Sequence, residues 1–256
     1  MKQILFTLFS LLTINIFSQG VYDDLKVLYV GEEYEKCYKK CLKYLEDEEA
    51  AKHPLPYLFF SMANYKISQQ DKFKDDYPNA EKDAISYAGK FVKKDKLGDY
   101  KGYELKLRYF EELKAYLAEQ IENYFTDGDE KGFKKASGLL SKIQTFDPND
   151  KSAMLLEGVC EIRVNNKTEG KKLLSDGLKL IKTVGVDVQF EDMDAATQSL
   201  YRFALIKYTE FQIESDNRDG AKETISLGHQ YFYEKNDAYK KEYNQDYKEL
   251  YDKLNL

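Results

Sequence analysis

Apolar residues recur at intervals of three and four along nearly the whole chain. Leu105, Tyr109, Leu113, Tyr116, Leu117 and Ile121 form one such stripe, the mark of an amphipathic helix. Alternating, strand-type patterns are nearly absent. The best of them, VGVDVQF at 184–190, is short and isolated and reads as a loop between helices. The stripes are separated by helix stop and start signals: Gly31, HPLP at 53–56, DDYPN at 75–79, LGDYKG at 97–102, TDGD at 126–129, DPND at 147–150, the asparagines at 165–166 and SDNRDG at 215–220. None of the prolines, at 54, 56, 78 and 148, interrupts a long stripe. Together these features predict helices over 21–30, 32–48, 55–69, 79–95, 102–126, 130–145, 151–164, 168–182, 194–214, 218–234 and 237–254.

Self-similarity sharpens the picture. ASGLLSKI at 136–143 is followed 34 residues later by GKKLLSDG at 170–177, with LLS identical and small residues coinciding at Ala136 and Gly170. Between them, FDPNDKSAMLLEGVC at 146–160 reads as a turn with proline and then a helix, with Gly158 where two helices approach closely. This resembles the tetratricopeptide repeat, a 34-residue helix-turn-helix unit with small residues at the helix crossings. Looser units resemble it too. GEEYEKCYKKCLKYL at 31–45 and PLPYLFFSMANYKI at 54–67 are similar to the end of one repeat and the start of the next, with Ser61 and Ala63 as small residues. The segments 79–95, with Ala84 and Ala88, and 218–232, with Ala221 and Gly228, are similar to second helices. Spacings of 47 from Cys37 to Ala84 and 51 from Gly170 to Ala221 depart from the period, so longer helices and loops must absorb the difference. The fold the resemblance implies is all-α: an α-α superhelix, a solenoid of about five helix pairs closed by a C-terminal capping helix.

The chain begins with Lys2 ahead of an apolar run at 4–17 that is too short and too interrupted by polar residues to span a bilayer. It reads as a signal peptide over 1–18, with a retained signal anchor as the alternative, and 19–256 as one repeat domain that is periplasmic or secreted. No cysteine follows the run to take a lipid, and no later segment is apolar enough for an integral membrane span. The formal charge of −6 makes a poor counterion for phosphate backbones and argues against nucleic acid. With 22 tyrosines and 15 phenylalanines, the chain also carries too much aromatic surface to stay disordered.

Catalytic chemistry has little to stand on. P-loop, GxGxxG, GxSxG and HExxH motifs are all missing, and the sequence predicts no catalytic, cofactor-binding or metal-ligating residue. His53, before Pro54, and His229, after Gly228, read as surface or packing residues. The SDNRDG stretch lacks both end ligands of a calcium loop, and Asp216 and Asn217 read as a helix cap. Cys37 and Cys41 stand one turn apart on a helix, side by side in a poor geometry for a disulfide and two ligands short of a zinc site; with Cys160 beside Gly158, they read as small packing residues. Tyr239, Tyr243, Tyr247 and Tyr251 form a drifting stripe that suits a capping helix. The tetratricopeptide resemblance implies a protein or peptide partner, held in a groove lined by the first helix of each pair. Asn64, Arg163, Tyr201 and Tyr208 are the candidate groove residues, with Tyr201 and Tyr208 equally readable as core. The competing reading is an exported lyase or hydrolase that gathers Tyr, His and Arg in one pocket.

Overall fold

The computed structural model describes residues 22–233 and 244–256. The expected signal peptide and Tyr239 and Tyr243 lie outside these residues. The described residues form α-helices joined by turns, with no β-strand: α1 Asp23–Val30, α2 Tyr34–Glu46, α3 Pro54–Ser68, α4 Ala80–Lys94, α5 Glu104–Asp127, α6 Glu130–Phe146, α7 Lys151–Arg163, α8 Lys167–Ile181, α9 Ala195–Glu214, α10 Arg218–Ser226, α11 His229–Phe232 and α12 Gln245–Lys253. The all-α expectation holds. The segment 184–190 is a turn, as expected, pinned by a single bridge between Val184 and Val188 and followed by a 3-10 turn at Phe190–Asp192. The one expected helix over 218–234 is two. It breaks at Leu227 and Gly228, where α9 comes close: a Cβ on Gly228 would meet Leu205 Cδ1 at 2.8 Å.

The break signals work as caps. Asp129, Asp150, Asp194, Asn217 and Asn244 each accept a backbone N–H in the first turn of α6, α7, α9, α10 and α12. His53 does the same for α3 through Nδ1, with Pro54 at the first helical position. A more specific regularity joins three of the hairpins. In the α1/α2, α7/α8 and α9/α10 turns, Glu32, Asn165 and Asp216 take a left-handed φ of 60°, 68° and 57°. The next residue's N–H then reaches back to the carbonyl five residues before it: Glu33 to Leu28, Asn166 to Glu161, Asn217 to Gln212. The same turn ends the first helix of all three hairpins.

The chain divides into two compact units, with the boundary between Lys106 and Leu107 in the first turn of α5. In the first unit α1 packs on α2, α2 on α3 and α3 on α4. Cys37 and Cys41 lie fully buried in the α1/α2 seam, where the Cys37 thiol points at the Leu25 carbonyl at 3.7 Å. Ser61, Ala63, Ala84 and Ala88 are buried at the α3/α4 crossing, and the Ser61 hydroxyl donates to the Ala84 carbonyl at 2.5 Å. In the second unit the hairpins are α5/α6, α7/α8 and α9/α10. Phe110 meets Phe146 and Phe125 meets Phe133 across α5/α6, at ring separations of 5.3 and 5.5 Å. The α7/α8 crossing is tight: Cβ atoms on Gly158 and Gly177 would stand 2.8 Å from the Leu174 and Leu155 amide nitrogens, the approach that the 34-residue pattern anticipates at Gly158. Tyr109, Leu113, Leu117 and Ile121 of the α5 stripe are buried, each removing apolar surface that contributes roughly 1.5–3 kcal/mol. Tyr247 of α12 is fully buried against Phe232, and α12 packs on α9 and α10.

Candidate functional site

Within the second unit a groove runs between α5 and α9. The two helices point the same way: Glu111 Oε1 accepts the Ala195 N–H at 3.1 Å near the start of α9, and further along both helices Phe125 meets Phe203 at 5.4 Å. At the N-terminal end the groove encloses about 540 Å³. Its floor and near walls are small: Ala115 and Ala118 from α5, and Ala195, Ala196 and Ser199 from α9. Its rim is charged, with Arg108, Glu111, Glu112, Glu119 and Glu122 all contributed by α5. The α5 members recur at three- and four-residue steps on the side opposite the apolar stripe, so the same periodicity that buries Leu113 and Leu117 turns this face outward. At the C-terminal end, Phe125, Gly128, Phe133, Val159, Arg163, Lys207, Glu210 and Glu214 line a smaller cleft of about 210 Å³.

A buried ionic cluster holds the groove's N-terminal end together. Lys114 of α5 has 1% of its side chain exposed. Its Nζ donates to Asp147 in the α6–α7 turn and to Thr197 Oγ1 on α9 at 2.5 Å, and lies 3.2 Å from Asp150 Oδ2 and 3.6 Å from Asp194 Oδ2. Both Asp150 and Asp194 are helix caps, so one ammonium ties α5 to the starts of α7 and α9. Burial alone would lower the Lys114 pKa, but Asp150, Asp147 and Asp194 outweigh it and hold the ammonium charged. Burial raises the Asp150 carboxyl above its ordinary range against the pull of Lys114. Asp194, although partly desolvated, is held below its ordinary value by Lys114 and the Thr197 hydrogen bonds. Among the described residues no set of His, Cys, Asp and Glu side chains is arranged to hold a metal; the three aspartates converge on the lysine instead.

The four candidate groove residues fall in different places. Arg163 lines the smaller cleft, where its guanidinium pairs with Glu214 and lies over the rings of Phe133 and Phe211, at 5.8 and 5.5 Å. Asn64 belongs to the first unit and is buried, its amide donating to the Phe60 carbonyl at 2.8 Å. It is a packing residue of α3 rather than a groove residue. Tyr201 is core: fully buried between Phe190 and Phe232, its hydroxyl donates to the Leu227 carbonyl at 3.4 Å. Burial raises its pKa well beyond the ordinary phenol range. Tyr208 is also buried, stacked on Phe211. Sequence periodicity could not separate these roles because α9 is apolar on several sides; it packs on α7, α10 and α12 at once, leaving only a narrow face for the groove.

The two histidines sit in different units. His53 Nδ1 accepts the Leu55 N–H, so Nε2 carries the proton and donates toward the Tyr100 hydroxyl at 3.2 Å. Burial lowers its pKa and favours this neutral form. His229 stacks between Tyr233 and Tyr251, at 4.7 and 4.9 Å. Neither lines the α5/α9 groove. A second, more open concavity of about 770 Å³ in the first unit is bordered by Tyr22, Tyr44, His53, Lys43 and Lys52. Its aromatic members are occupied with each other: Tyr22 meets Tyr44 edge-on at 5.2 Å and His53 at 4.6 Å, and the Tyr44 hydroxyl donates to Asp24.

The residues that sequence reasoning missed are Ala115, Ala118, Glu119, Ser199 and the Lys114 cluster. The first three carried a readable signal, small and acidic residues at helical spacing on the polar side of a long helix. Lys114 carried none, because its partners come from positions 147, 150, 194 and 197. Among the described residues no helix is long and apolar enough to cross a membrane. No protein-family model matches the chain, and neither a curated protein nor a solved structure matches it.

Proposed function

We propose that the protein is an exported, non-catalytic scaffold of the tetratricopeptide-like kind that holds a segment of a protein or peptide partner in the α5/α9 groove. The observation that carries this reading is the groove itself: the first helices of two hairpins, α5 of α5/α6 and α9 of α9/α10, lie side by side and in the same direction, lined by alanines that leave room for a bound chain. The repeated hairpin turn supports the repeat reading, and Lys2 with the apolar run at 4–17 supports export. Peptides selected from a displayed random library on the purified protein test it. Selected binders lose affinity for Ala115→Trp, which fills the groove from an exposed position, whereas binders that hold Ala115→Trp as tightly as the unaltered protein would place the binding surface elsewhere.

A further inference from the structure

The groove's charge says what kind of segment fits. Along α5, Glu111, Glu112, Glu119 and Glu122 border the cavity, and the cations near them are Arg108 on the same helix and Arg202, whose guanidinium donates to Ser199 at 3.4 Å. Carboxylates outnumber cations there by two. At the other end the charges are matched, Arg163 with Glu214 and Lys207 with Glu210. The acidic excess is therefore concentrated where the cavity is largest, beside a floor of methyl groups.

We propose that the groove accepts a basic segment, its lysine or arginine stems lying on Ala115, Ala118 and Ala196 and its cationic heads reaching Glu119 and Glu122. The two carboxylates stand one turn apart on α5, about 5–6 Å between Cβ atoms, close to the spacing of alternate side chains on an extended peptide. Unbranched basic side chains suit such a site because their aliphatic stems cover apolar surface while the charge stays at the wet rim. An acidic or phosphorylated segment would face like charge along the whole α5 wall. This inference rests on the α5/α9 groove being the binding site.

The test uses the full chain and three fluorescein-labelled peptides of one length, each with the same alanine and leucine positions and with lysine, serine or glutamate at the rest. Fluorescence anisotropy reads binding at low salt. The lysine peptide binds tightest, and its affinity falls as ionic strength rises. Glu119→Gln combined with Glu122→Gln weakens it about tenfold while sparing the serine peptide. Glu46→Gln with Glu48→Gln removes the same charge from an exposed stretch outside the groove, and it leaves affinity within about twofold. Ser199→Lys weakens the lysine peptide and improves the glutamate peptide, with circular dichroism confirming that each variant folds. If the lysine peptide does not bind, or if both glutamine pairs act alike, the basic-segment proposal fails. If all three peptides bind equally and Ala115→Trp still blocks them, the groove stands and only the charge preference falls. If Ala115→Trp blocks none, both fail.

Discussion

Lys114 Nζ and Asp150 Oδ2 meet 3.2 Å apart in the interior of the second unit, with 1% and 0% of their side chains exposed. Asp150 also caps α7, accepting the Ser152 and Ala153 N–H groups at 3.0 and 3.2 Å. The lysine neutralises a carboxylate that helix geometry needs and that burial would otherwise expel. Lys114→Met is therefore expected to destabilise the fold by about 3–5 kcal/mol, because it strands buried charge rather than merely removing a contact. Asp150→Asn keeps the cap without the charge, so adding it to Lys114→Met recovers part of the loss. Urea denaturation of the four proteins in the double-mutant cycle measures the coupling, and additive effects would show that the pair is not coupled.

The same cluster makes a prediction at alkaline pH. The Lys114 pKa is raised in the fold above its ordinary 10.5, so its contribution is complete below that value and is lost as pH climbs through the higher folded-state value. Relative to the Lys114→Met/Asp150→Asn protein, the unaltered chain should lose melting temperature faster above pH 10.5. Parallel melting curves through that range would remove the lysine from the account.

His53 supplies the opposite sign near neutrality. Its folded-state pKa is lowered from 6.5, mainly by burial, so the unfolded chain binds its proton more readily and stability falls as pH drops below 6.5. His53→Asn can keep the α3 cap but cannot titrate. It should flatten the pH dependence of the melting temperature between 6.5 and the depressed value, whereas His53→Ala also loses the cap, about 1 kcal/mol.

Two glycines of the second unit, one buried and one exposed, separate crossing from spacing. Gly177→Ala places a methyl 2.8 Å from the Leu155 amide nitrogen, backbone that cannot move aside, and is expected to cost about 1–3 kcal/mol. Gly138→Ala, at an exposed position of α6 with nothing within 4 Å of the new atom, should stabilise by about 0.5–1 kcal/mol. Equal effects in thermal denaturation would contradict the α7/α8 crossing.

The three cysteines should resist labelling. All are free and buried, and burial, ahead of Glu161 and Glu157, raises the Cys160 thiol well above its ordinary value. Cys41 is raised too, by burial and by Cys37 beside it. A thiol reagent should react slowly with the native protein and rapidly with all three sites in urea; fast native labelling at Cys37 would open the α1/α2 seam to question.

What the sequence determined by itself is the local part of this protein. Helix positions follow from apolar spacing and helix starts from Asp129, Asp150, Asp194 and Asn217, because each depends on neighbours within a turn or two of the chain. The crossing at Gly158, against Leu174 on the next helix, was legible from residue size and the 34-residue self-similarity. The cysteines could be read as packing residues for the same reason. The groove and its clamp were decided only in three dimensions. Lys114 looks like any surface lysine until turns at 147–150 and 194–197 converge on it, and Tyr201 and Tyr208 read equally well as groove or core until the packed structure buries both. One-dimensional periodicity tells which side of a helix is buried against its nearest partner; it cannot tell which of several apolar sides a crowded helix leaves open, since that depends on elements packing from far along the chain.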